Sequence, residues 1–294
     1  MYSQTLTIHI TEENHVRIIS SIREMQGLVN GVIRTGKRIS LVPTMGALHE
    51  GHINLINEGR NRGDVLVVSI FVNPTQFGLS EDFTKYPRDL EGDLSTIEDL
   101  GVDIVFAPNL EEIYPEGFQT YVEVKDLQEH LCGHFRPGHF RGVATVVLKL
   151  FNIVKPQVAL FGEKDYQQLK IIQRMVKDLN LEVEVIGYPI VREKDGLALS
   201  SRNVYLLMNE RNSASQVSKA LREIKRKFDM GCRNTNLMVE FGKKILEETG
   251  INDIDYLEIC DPETLESKEL AGRGDLLAVA VRIKGTRLID NIRL

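Results

Sequence analysis

Cysteine is scarce in this sequence, and tryptophan is absent. The 294 residues include three cysteines, Cys132, Cys232 and Cys260, which stand far apart and form no CxxC pair. Small secreted domains are stabilised by an even-numbered set of closely spaced cysteines, so a disulfide framework of that kind is not expected. We predict three free thiols in a protein of the reducing cytoplasm.

Long apolar runs and an excess of positive charge are also missing. No uninterrupted apolar stretch approaches about 18 residues, and residues 1–13 contain neither the basic nor the apolar segment of a secretory signal. We therefore expect neither export nor membrane insertion. The chain has 36 basic and 42 acidic residues, and its formal net charge of −6 has the wrong sign for broad attraction to nucleic acid. We expect no nucleic-acid partner.

The sequence does contain a repeated order of short apolar run, turn and helix-like stretch, which is typical of parallel sheets. Apolar runs bounded by Gly, Pro, Asn or Asp predict buried strands at residues 39–42, 65–71, 102–106 and 158–161. Helical spacing or a helix start signal predicts helices at residues 53–62, 90–100, 143–154 and 166–180. The predicted fold class is therefore α/β, with a Rossmann-like parallel sheet.

This repeated order ends after Tyr188. The remaining chain predicts helices and strands in a different order, at residues 216–228, 237–248, 255–260 and 277–283. Because one domain usually takes about 150 residues, the length also favours two domains. We predict a larger domain at residues 1–189 and a smaller α+β domain at residues 190–294, with a ligand cleft between them.

Residues 43–52 are the most informative stretch, because they follow the first strong strand signal and precede a helical pattern. A glycine-bearing turn at this place exposes backbone N–H groups at the positive end of a helix, where an anion is favoured. His49 and His52 are three residues apart, so that both can face one side of the opening helical turn and donate to phosphate oxygens. The alternative is that both histidines merely cap a helix or pack on it.

Three better-known sites do not fit the same stretch. Gly46 and Gly51 have the spacing of a P-loop, but His52 and Ile53 stand where that motif requires Lys and then Ser or Thr. A zincin helix needs its two histidines four residues apart, not three. No GxGxxG follows a predicted strand, which disfavours a dinucleotide oxidoreductase.

Polar side chains follow other strand ends as well. Gln76 lies in an Asn-Pro turn, and Gly162 and Lys164 form a second glycine turn that opens a helix. Further along the chain, in a turn, Ser200, Ser201 and Arg202 group two hydroxyls with a guanidinium, a set that suits a polyphosphate. Each segment alone also fits an ordinary turn, an N-cap or a solvated charge.

A further cluster, residues 130–141, contains three histidines and one cysteine. Its members His130, Cys132, His134 and His139 have spacings that match no standard zinc pattern. Since Arg136 and Arg141 stand beside them, a basic flap at the active site is favoured over a metal site.

Taken in order, these segments resemble the pantothenate synthetase family, the pantoate:beta-alanine ligases, within the wider nucleotidyltransferase group whose HxGH histidines follow the first strand. The resemblance spans nearly the whole chain. Its motifs are at residues 43–52, 73–77, 136–140, 161–165, 199–203, 261–265 and 285–291.

The resemblance implies a ligase that forms an amide bond in two steps. The carboxylate of (R)-pantoate attacks the α-phosphorus of ATP, which gives a pantoyl adenylate and diphosphate, and beta-alanine then displaces AMP to form pantothenate. It also implies that ATP is a co-substrate accompanied by Mg²⁺, that the larger domain binds nucleotide and pantoate, that the smaller one closes over the site, and that the protein is a cytoplasmic homodimer.

The family's functional residues carry over to matching positions. His52, His49, Lys164 and Arg202 are implied to act in catalysis. Gln76 is implied to bind pantoate and later beta-alanine, and Gln168 to bind pantoate. The residues implied to bind ATP are Met45, Gly46, Ala47, Leu48, His49, Glu50, Gly51, His52, Gly162, Glu163, Lys164, Asp165, Val191, Leu199, Ser200, Ser201 and Arg202.

Two other functions stay open at this point. A nucleotidyltransferase acting on a phosphorylated small-molecule acceptor would share the histidine motif and the fold. A protein that binds ATP without turnover would release no diphosphate with any acid. Product analysis separates all three.

Overall fold

The fold is built around a six-stranded sheet. It is taken from a computed structural model that describes residues 16–78 and 81–294. The predicted lack of an export signal concerns residues 1–13, which lie outside the described residues. All neighbouring strands of the sheet are parallel, in the spatial order β1-β4-β3-β2-β5-β6. The strands are β1 (Arg17–Ile19), β2 (Ile39–Thr44), β3 (Val65–Ile70), β4 (Ile104–Phe106), β5 (Val158–Gly162) and β6 (Glu184–Tyr188).

The central strands are those that the apolar runs predicted. β2 and β3 pair along their whole length, from Ile39 opposite Val65 to Thr44 opposite Ile70. Both are buried almost throughout, because helices cover the two faces of the sheet. The outer strands β1 and β6 were not predicted. Their side chains are mostly half-exposed or exposed, so they carry too few apolar residues to form a run.

Helices connect the strands of this sheet. Their bounds are α1 (Ile22–Arg34), α2 (Glu50–Arg62), α3 (Leu90–Ile97), α4 (Leu110–Ile113), α5 (Lys125–Gln128), α6 (Cys132–Phe135), α7 (His139–Val154) and α8 (Tyr166–Asp178). Short 3₁₀ turns are found at Pro74–Gln76, Glu163–Asp165 and Ser201–Tyr205. The four predicted helices correspond to α2, α3, α7 and α8, with ends that differ by a few residues.

The C-terminal part has its own sheet. Two helices, α9 (Met208–Asp229) and α10 (Thr235–Glu248), precede three antiparallel strands in the order β7-β8-β9. The strands are β7 (Asp253–Cys260), β8 (Leu276–Ile283) and β9 (Thr286–Arg293). The predicted helices and strands of this part are confirmed, and so is the fold class. β9 was not predicted as a strand, because the polar residues Asp290 and Asn291 interrupt its apolar ones, although both are buried.

The apolar cores follow the two sheets. Both faces of the six-stranded sheet are covered by buried apolar residues, while a separate cluster that begins at Leu197 and ends at Leu294 lies between α9, α10 and the three-stranded sheet. Among the described helices, none combines the length and the apolar character needed to cross a membrane.

Candidate active site

A cavity of about 230 Å³ lies at the carboxyl ends of β2, β3 and β5, against the segment that follows β6. Open α/β sheets bind ligands at this edge. The cavity brings together most of the residues that the sequence predicted, namely Met45, His49, Gly51, His52, Gln76, Gly162, Lys164, Asp165, Gln168, Val191, Leu199, Ser200, Ser201 and Arg202.

Five predicted nucleotide-binding residues are not part of the cavity lining. They are Gly46, Ala47, Leu48, Glu50 and Glu163. Glu50 is exposed on the first turn of α2. The others belong to the turns that carry lining residues.

The turn between β2 and α2 is stabilised by a carboxylate of the protein itself. The backbone N–H groups of Ala47 and Leu48 donate to the two oxygens of Asp93, at 3.0 and 2.7 Å. Asp93 is 4% exposed, and burial raises its pKa while these two donors oppose the rise. Gly46 has φ of +79°, and a Cβ at this position would lie 2.7 Å from an Asp93 oxygen. The turn therefore closes around an internal anion, and these N–H groups do not point to a ligand.

His49 and His52 begin α2 with a reciprocal pair of hydrogen bonds. His49 is the N-cap, and its Nδ1 accepts from the Gly51 N–H at 3.2 Å. The His52 Nδ1 accepts from the His49 N–H at 3.3 Å. Because both Nδ1 atoms act as acceptors, each ring carries its proton on Nε2. The two ring centroids are 4.0 Å apart, so two Nε2–H donors stand side by side in the cavity lining.

Both histidines are neutral at pH 7. Burial, with the Lys164 ammonium as a second cause, lowers the pKa of His49 to about 4. Burial also lowers the pKa of His52 to about 3, and His49 and Lys164 add to the effect. The rings can therefore donate hydrogen bonds to an anion but carry no charge themselves.

Positive charge in the site comes from Lys164 and Arg202. Lys164 follows β5 in the turn Glu163–Asp165, and its ammonium lies 3.8 Å from the Asp165 carboxylate. Arg202 forms a bidentate pair with Asp82, with both bonds at 2.8 Å. Both cations thus have a carboxylate partner, but the contact of Lys164 with Asp165 is 1 Å longer than the bonds of Arg202 to Asp82, so the Lys164 ammonium is the more readily available to a phosphate.

A buried amide network orients Gln76 in the same cavity. The Gln76 Oε1 accepts from Asn73 at 3.0 Å, and its Nε2 lies 3.2 Å from the Met45 sulfur. Asn73 is 1% exposed and accepts in turn from the Tyr114 hydroxyl at 2.8 Å. Gln76 therefore has a fixed side-chain orientation, while Gln168 lines the cavity from the first turn of α8.

Sequence reasoning did not include Arg136 and His139 among the site residues. The His139 Nδ1 bonds the Gln76 carbonyl at 2.8 Å and its Nε2 lies 2.9 Å from an Arg136 nitrogen. Arg136 pairs with both Glu81 oxygens at 2.7 Å, and this pairing lowers the pKa of Glu81 to about 2 although burial opposes it. Burial, followed by Arg136, lowers the pKa of His139 to about 3. The two residues were assigned to a flap, but they support the backbone of Gln76.

Tyr86 and an apolar wall were also missed. Tyr86 lines the cavity and is 5% exposed. The wall consists of Phe71 and one face of α7, with Val143, Val146, Val147 and Leu150. The helical spacing of these α7 residues was visible in the sequence, but the same pattern is typical of a helix packed on a core.

One protein family matches almost the whole chain. The family described as Pantoate-beta-alanine ligase matches residues 17–293. The chain belongs to the pantoate-beta-alanine ligase family. This confirms the predicted family and, with it, the prediction of a ligase that forms pantothenate from pantoate and beta-alanine.

Two named relatives match this chain over almost their whole length. The chain is 55% identical to pantothenate synthetase of Sulfurihydrogenibium sp. (strain YO3AOP1) over 278 residues, which cover 94% of this chain and 99% of that protein. It is 54% identical to pantothenate synthetase of Geobacter sulfurreducens, with 94% and 98% covered.

Solved structures show the same fold. Pantothenate synthetase from Thermus thermophilus is 45% identical, with a TM-score of 0.89 and with 94% of this chain and 99% of that chain covered. Pantoate-beta-alanine ligase from Francisella tularensis, which is complexed with beta-gamma ATP and beta-alanine, is 36% identical, with a TM-score of 0.80 and with 95% and 98% covered.

Proposed function

We propose that this chain makes pantothenate in the cavity described above, using ATP to activate pantoate as an enzyme-bound pantoyl adenylate. The observation that carries the proposal is that two neutral Nε2–H donors, the Lys164 ammonium and the fixed amide of Gln76 line one cavity. Family membership and the ATP named in the Francisella structure support ATP as the co-substrate.

In the first step, the pantoate carboxylate attacks the α-phosphorus and diphosphate leaves. His52 and His49 donate to phosphate oxygens on which negative charge accumulates, and Lys164 and Arg202 neutralise that charge. Gln76 and Gln168 orient the pantoate carboxylate and hydroxyls, because amides can do so without adding charge. Positioning and electrostatics carry the step, since no covalent nucleophile is required.

In the second step, the amine of beta-alanine attacks the acyl carbon, the bond to the AMP oxygen breaks and the nitrogen loses a proton. Gln76 then binds beta-alanine. The apolar wall of α7 keeps water from the adenylate, which would otherwise hydrolyse. The remaining nucleotide contacts come from Gly162 to Asp165, with Asp165 near the ribose, and from Val191, Leu199, Ser200 and Ser201.

Magnesium enters with ATP in this proposal. Mg²⁺ keeps several waters and is held by substrate phosphates with few protein carboxylates. The described residues fit that mode, because Asp165 is the single carboxylate in the cavity lining and no set of three His, Cys, Asp or Glu side chains in residues 16–78 and 81–294 forms a metal cage. The ion would neutralise phosphate charge next to Lys164.

Three further assignments belong to the proposal. We place the domain boundary between residues 189 and 190, which the end of β6 at Tyr188 and the separate C-terminal core support. A homodimer is proposed from the family resemblance and is tested by the mass measured in sedimentation. The free thiols fit the reducing environment of the cytoplasm.

The test is an assay with ATP, Mg²⁺, pantoate and beta-alanine that follows AMP and pantothenate. We expect AMP release that depends on the amine and falls by about 100-fold or more in His52→Ala, the size of loss seen when a preorganised donor is removed. His134→Ala, which removes an exposed histidine outside the cavity, is the control. Transfer of a nucleotide to a phosphorylated acceptor, without pantothenate, would favour the alternative nucleotidyltransferase.

A further inference from the structure

Asn291 lies on β9, and its side chain reaches the turn that carries Lys164. The Asn291 Nδ2 donates to two consecutive backbone carbonyls, those of Glu163 at 2.9 Å and Lys164 at 3.1 Å. Asn291 is 6% exposed, so water has little access to either bond. One side chain of the three-stranded sheet thus donates both of its N–H groups to the turn that follows β5 of the six-stranded sheet.

The 3₁₀ turn Glu163–Asp165 has its own backbone bonds but no side-chain cap. Gly162 before the turn and Asp165 at the start of α8 make no side-chain capping bond. Among the hydrogen bonds of the described residues, those from Asn291 are the ones that a side chain donates to the backbone of this turn. The placement of Lys164 therefore depends on a residue 127 positions further along the chain.

Asp290, the residue before Asn291, pairs with Arg192, which lies next to the lining residue Val191. The Asp290 carboxylate accepts from both terminal nitrogens of Arg192, at 2.6 and 2.8 Å, and from the Asn291 backbone N–H at 2.7 Å. Arg192 follows Val191 in a short antiparallel bridge with Ala198, next to Leu199. Asp290 and Asn291 together connect β9 to the two segments on which Lys164 and Val191 enter the cavity.

We propose that Asn291 is a positioning residue for the adenylation step. It holds the turn so that the Lys164 ammonium stands at the correct distance from His49 and His52 for one polyphosphate. This inference rests on the proposed function, in which Lys164 neutralises phosphate charge. A displacement of about 1 Å in a preorganised site can cost about 100-fold in rate, so the loss of two buried bonds to the turn has a measurable effect.

The experiment replaces Asn291 with leucine, which has a similar size but no N–H donor. We expect Asn291→Leu to lower the rate of pantoate-dependent diphosphate release about tenfold or more and to weaken ATP binding, measured by titration calorimetry. Asn291→Ala is measured in parallel, because it removes the same donors without filling the space. Both variants are compared at saturating pantoate, so that only the ATP-dependent step is tested.

Tyr166→Phe is the matched control. The Tyr166 hydroxyl donates to the Pro262 carbonyl at 3.2 Å and contacts Arg293 on the same strand as Asn291, so it also links the two parts of the molecule. It makes no bond to the backbone of the Lys164 turn. We expect this variant to keep the rate and the ATP affinity within about twofold, while its unfolding temperature reports the loss of a general contact between the parts.

A double variant separates positioning from a purely structural role. If Asn291 acts through Lys164, Asn291→Leu changes neither ATP affinity nor diphosphate release in a Lys164→Ala background, because the two substitutions remove the same contribution. An equal loss in both backgrounds would overturn the inference and leave the proposed function intact. A Lys164→Ala variant with normal ATP affinity and rate would instead refute the role of Lys164 itself.

Discussion

Burial determines the charge of the histidines in the site. An ordinary histidine has a pKa of about 6.5, but His49, His52 and His139 keep theirs at about 3 to 4 because the protein shields them from water. In the folded state they stay neutral well below pH 6. In the unfolded chain they bind protons below about pH 6.5.

Acid destabilises the folded protein through these histidines. Because the unfolded chain binds more protons below pH 6.5, the free energy of unfolding falls as the pH is lowered toward about 4, by about 1.4 kcal/mol per pH unit for each such histidine. We expect His52→Gln to reduce this slope by the share of one histidine. Urea unfolding at pH 7, 6 and 5 measures it, and an unchanged slope would show that His52 is charged in the folded protein.

Asp93 supplies two acceptor oxygens to the turn between β2 and α2. An amide at this position offers one acceptor oxygen where the Ala47 and Leu48 N–H groups bond to two, so Asp93→Asn leaves one half-buried donor unpaired. We expect a loss of about 1–3 kcal/mol in stability together with a lower rate of diphosphate release, since His49 follows this turn directly.

Asp89→Asn is the control for Asp93, because it changes the same charge four residues earlier. Asp89 caps α3 by accepting from Gly92 at 2.9 Å, and asparagine is an equally good N-cap. We expect urea unfolding and activity of Asp89→Asn to match those of the parent protein. Equal behaviour of the two variants would show that Asp93 has no special role in the turn.

At the scale of elements, α7 approaches the 3₁₀ turn Pro74–Gln76 more closely than a side chain allows. A Cβ on Gly142 would overlap the backbone of Thr75 and Gln76. The Gly142 carbonyl also accepts from Asn73 at 3.2 Å. The position of Gln76 is therefore coupled to the packing of a helix that follows it by more than sixty residues.

A substitution at this contact should affect pantoate more than ATP. We expect Gly142→Ala to displace the turn that carries Gln76, to raise the KM for pantoate about tenfold and to destabilise the fold by roughly 1–3 kcal/mol, the cost of overpacking. Gly27→Ala in α1, where a Cβ meets nothing within 4 Å, is the control and should stabilise the protein by about 0.5–1 kcal/mol. An unchanged KM for pantoate in Gly142→Ala would contradict the coupling.

Local sequence patterns predicted the elements and their turns, but not the side chains that hold those turns in place. Buried strands and amphipathic helices were predicted from residues within each element. The positions of His49 and Lys164 followed from turns at strand ends, and that of Arg202 from a turn further along the chain. Asp93 and Asn291 could not be found this way, because each acts on residues at least 45 positions away. The chemistry of a motif is local, but the side chains that hold its backbone come from elsewhere in the fold.

Cys132 lies at the contact between the part of the chain that ends at residue 189 and the part that follows it. Its sulfur lies 3.2 Å from the Tyr256 hydroxyl on β7 and 3.4 Å from an Arg287 nitrogen on β9. Cys132 and Cys260 are buried, whereas Cys232 is half-buried. Burial raises the pKa of Cys260 to about 12, which makes that thiol unreactive at neutral pH.

We therefore expect a thiol reagent to modify Cys232 first and Cys132 only when the two parts separate. ATP bound between them should slow the labelling of Cys132, because a ligand that binds the closed state lowers the population of open molecules. Peptide mass spectrometry of timed samples gives the rate for each cysteine. Rapid labelling of Cys132 that ATP does not change would show that the contact opens independently of the site.

The pairing of Arg202 with Asp82 has a consequence for the energetics of nucleotide binding. A guanidinium that already donates to a carboxylate at 2.8 Å can bind a phosphate only if it shares or exchanges that carboxylate. The affinity contributed by Arg202 is then the difference between its attraction to the phosphate and its attraction to Asp82, and it is smaller than the attraction to the phosphate alone. The protein keeps its arginine neutralised until an anion that competes with Asp82 arrives.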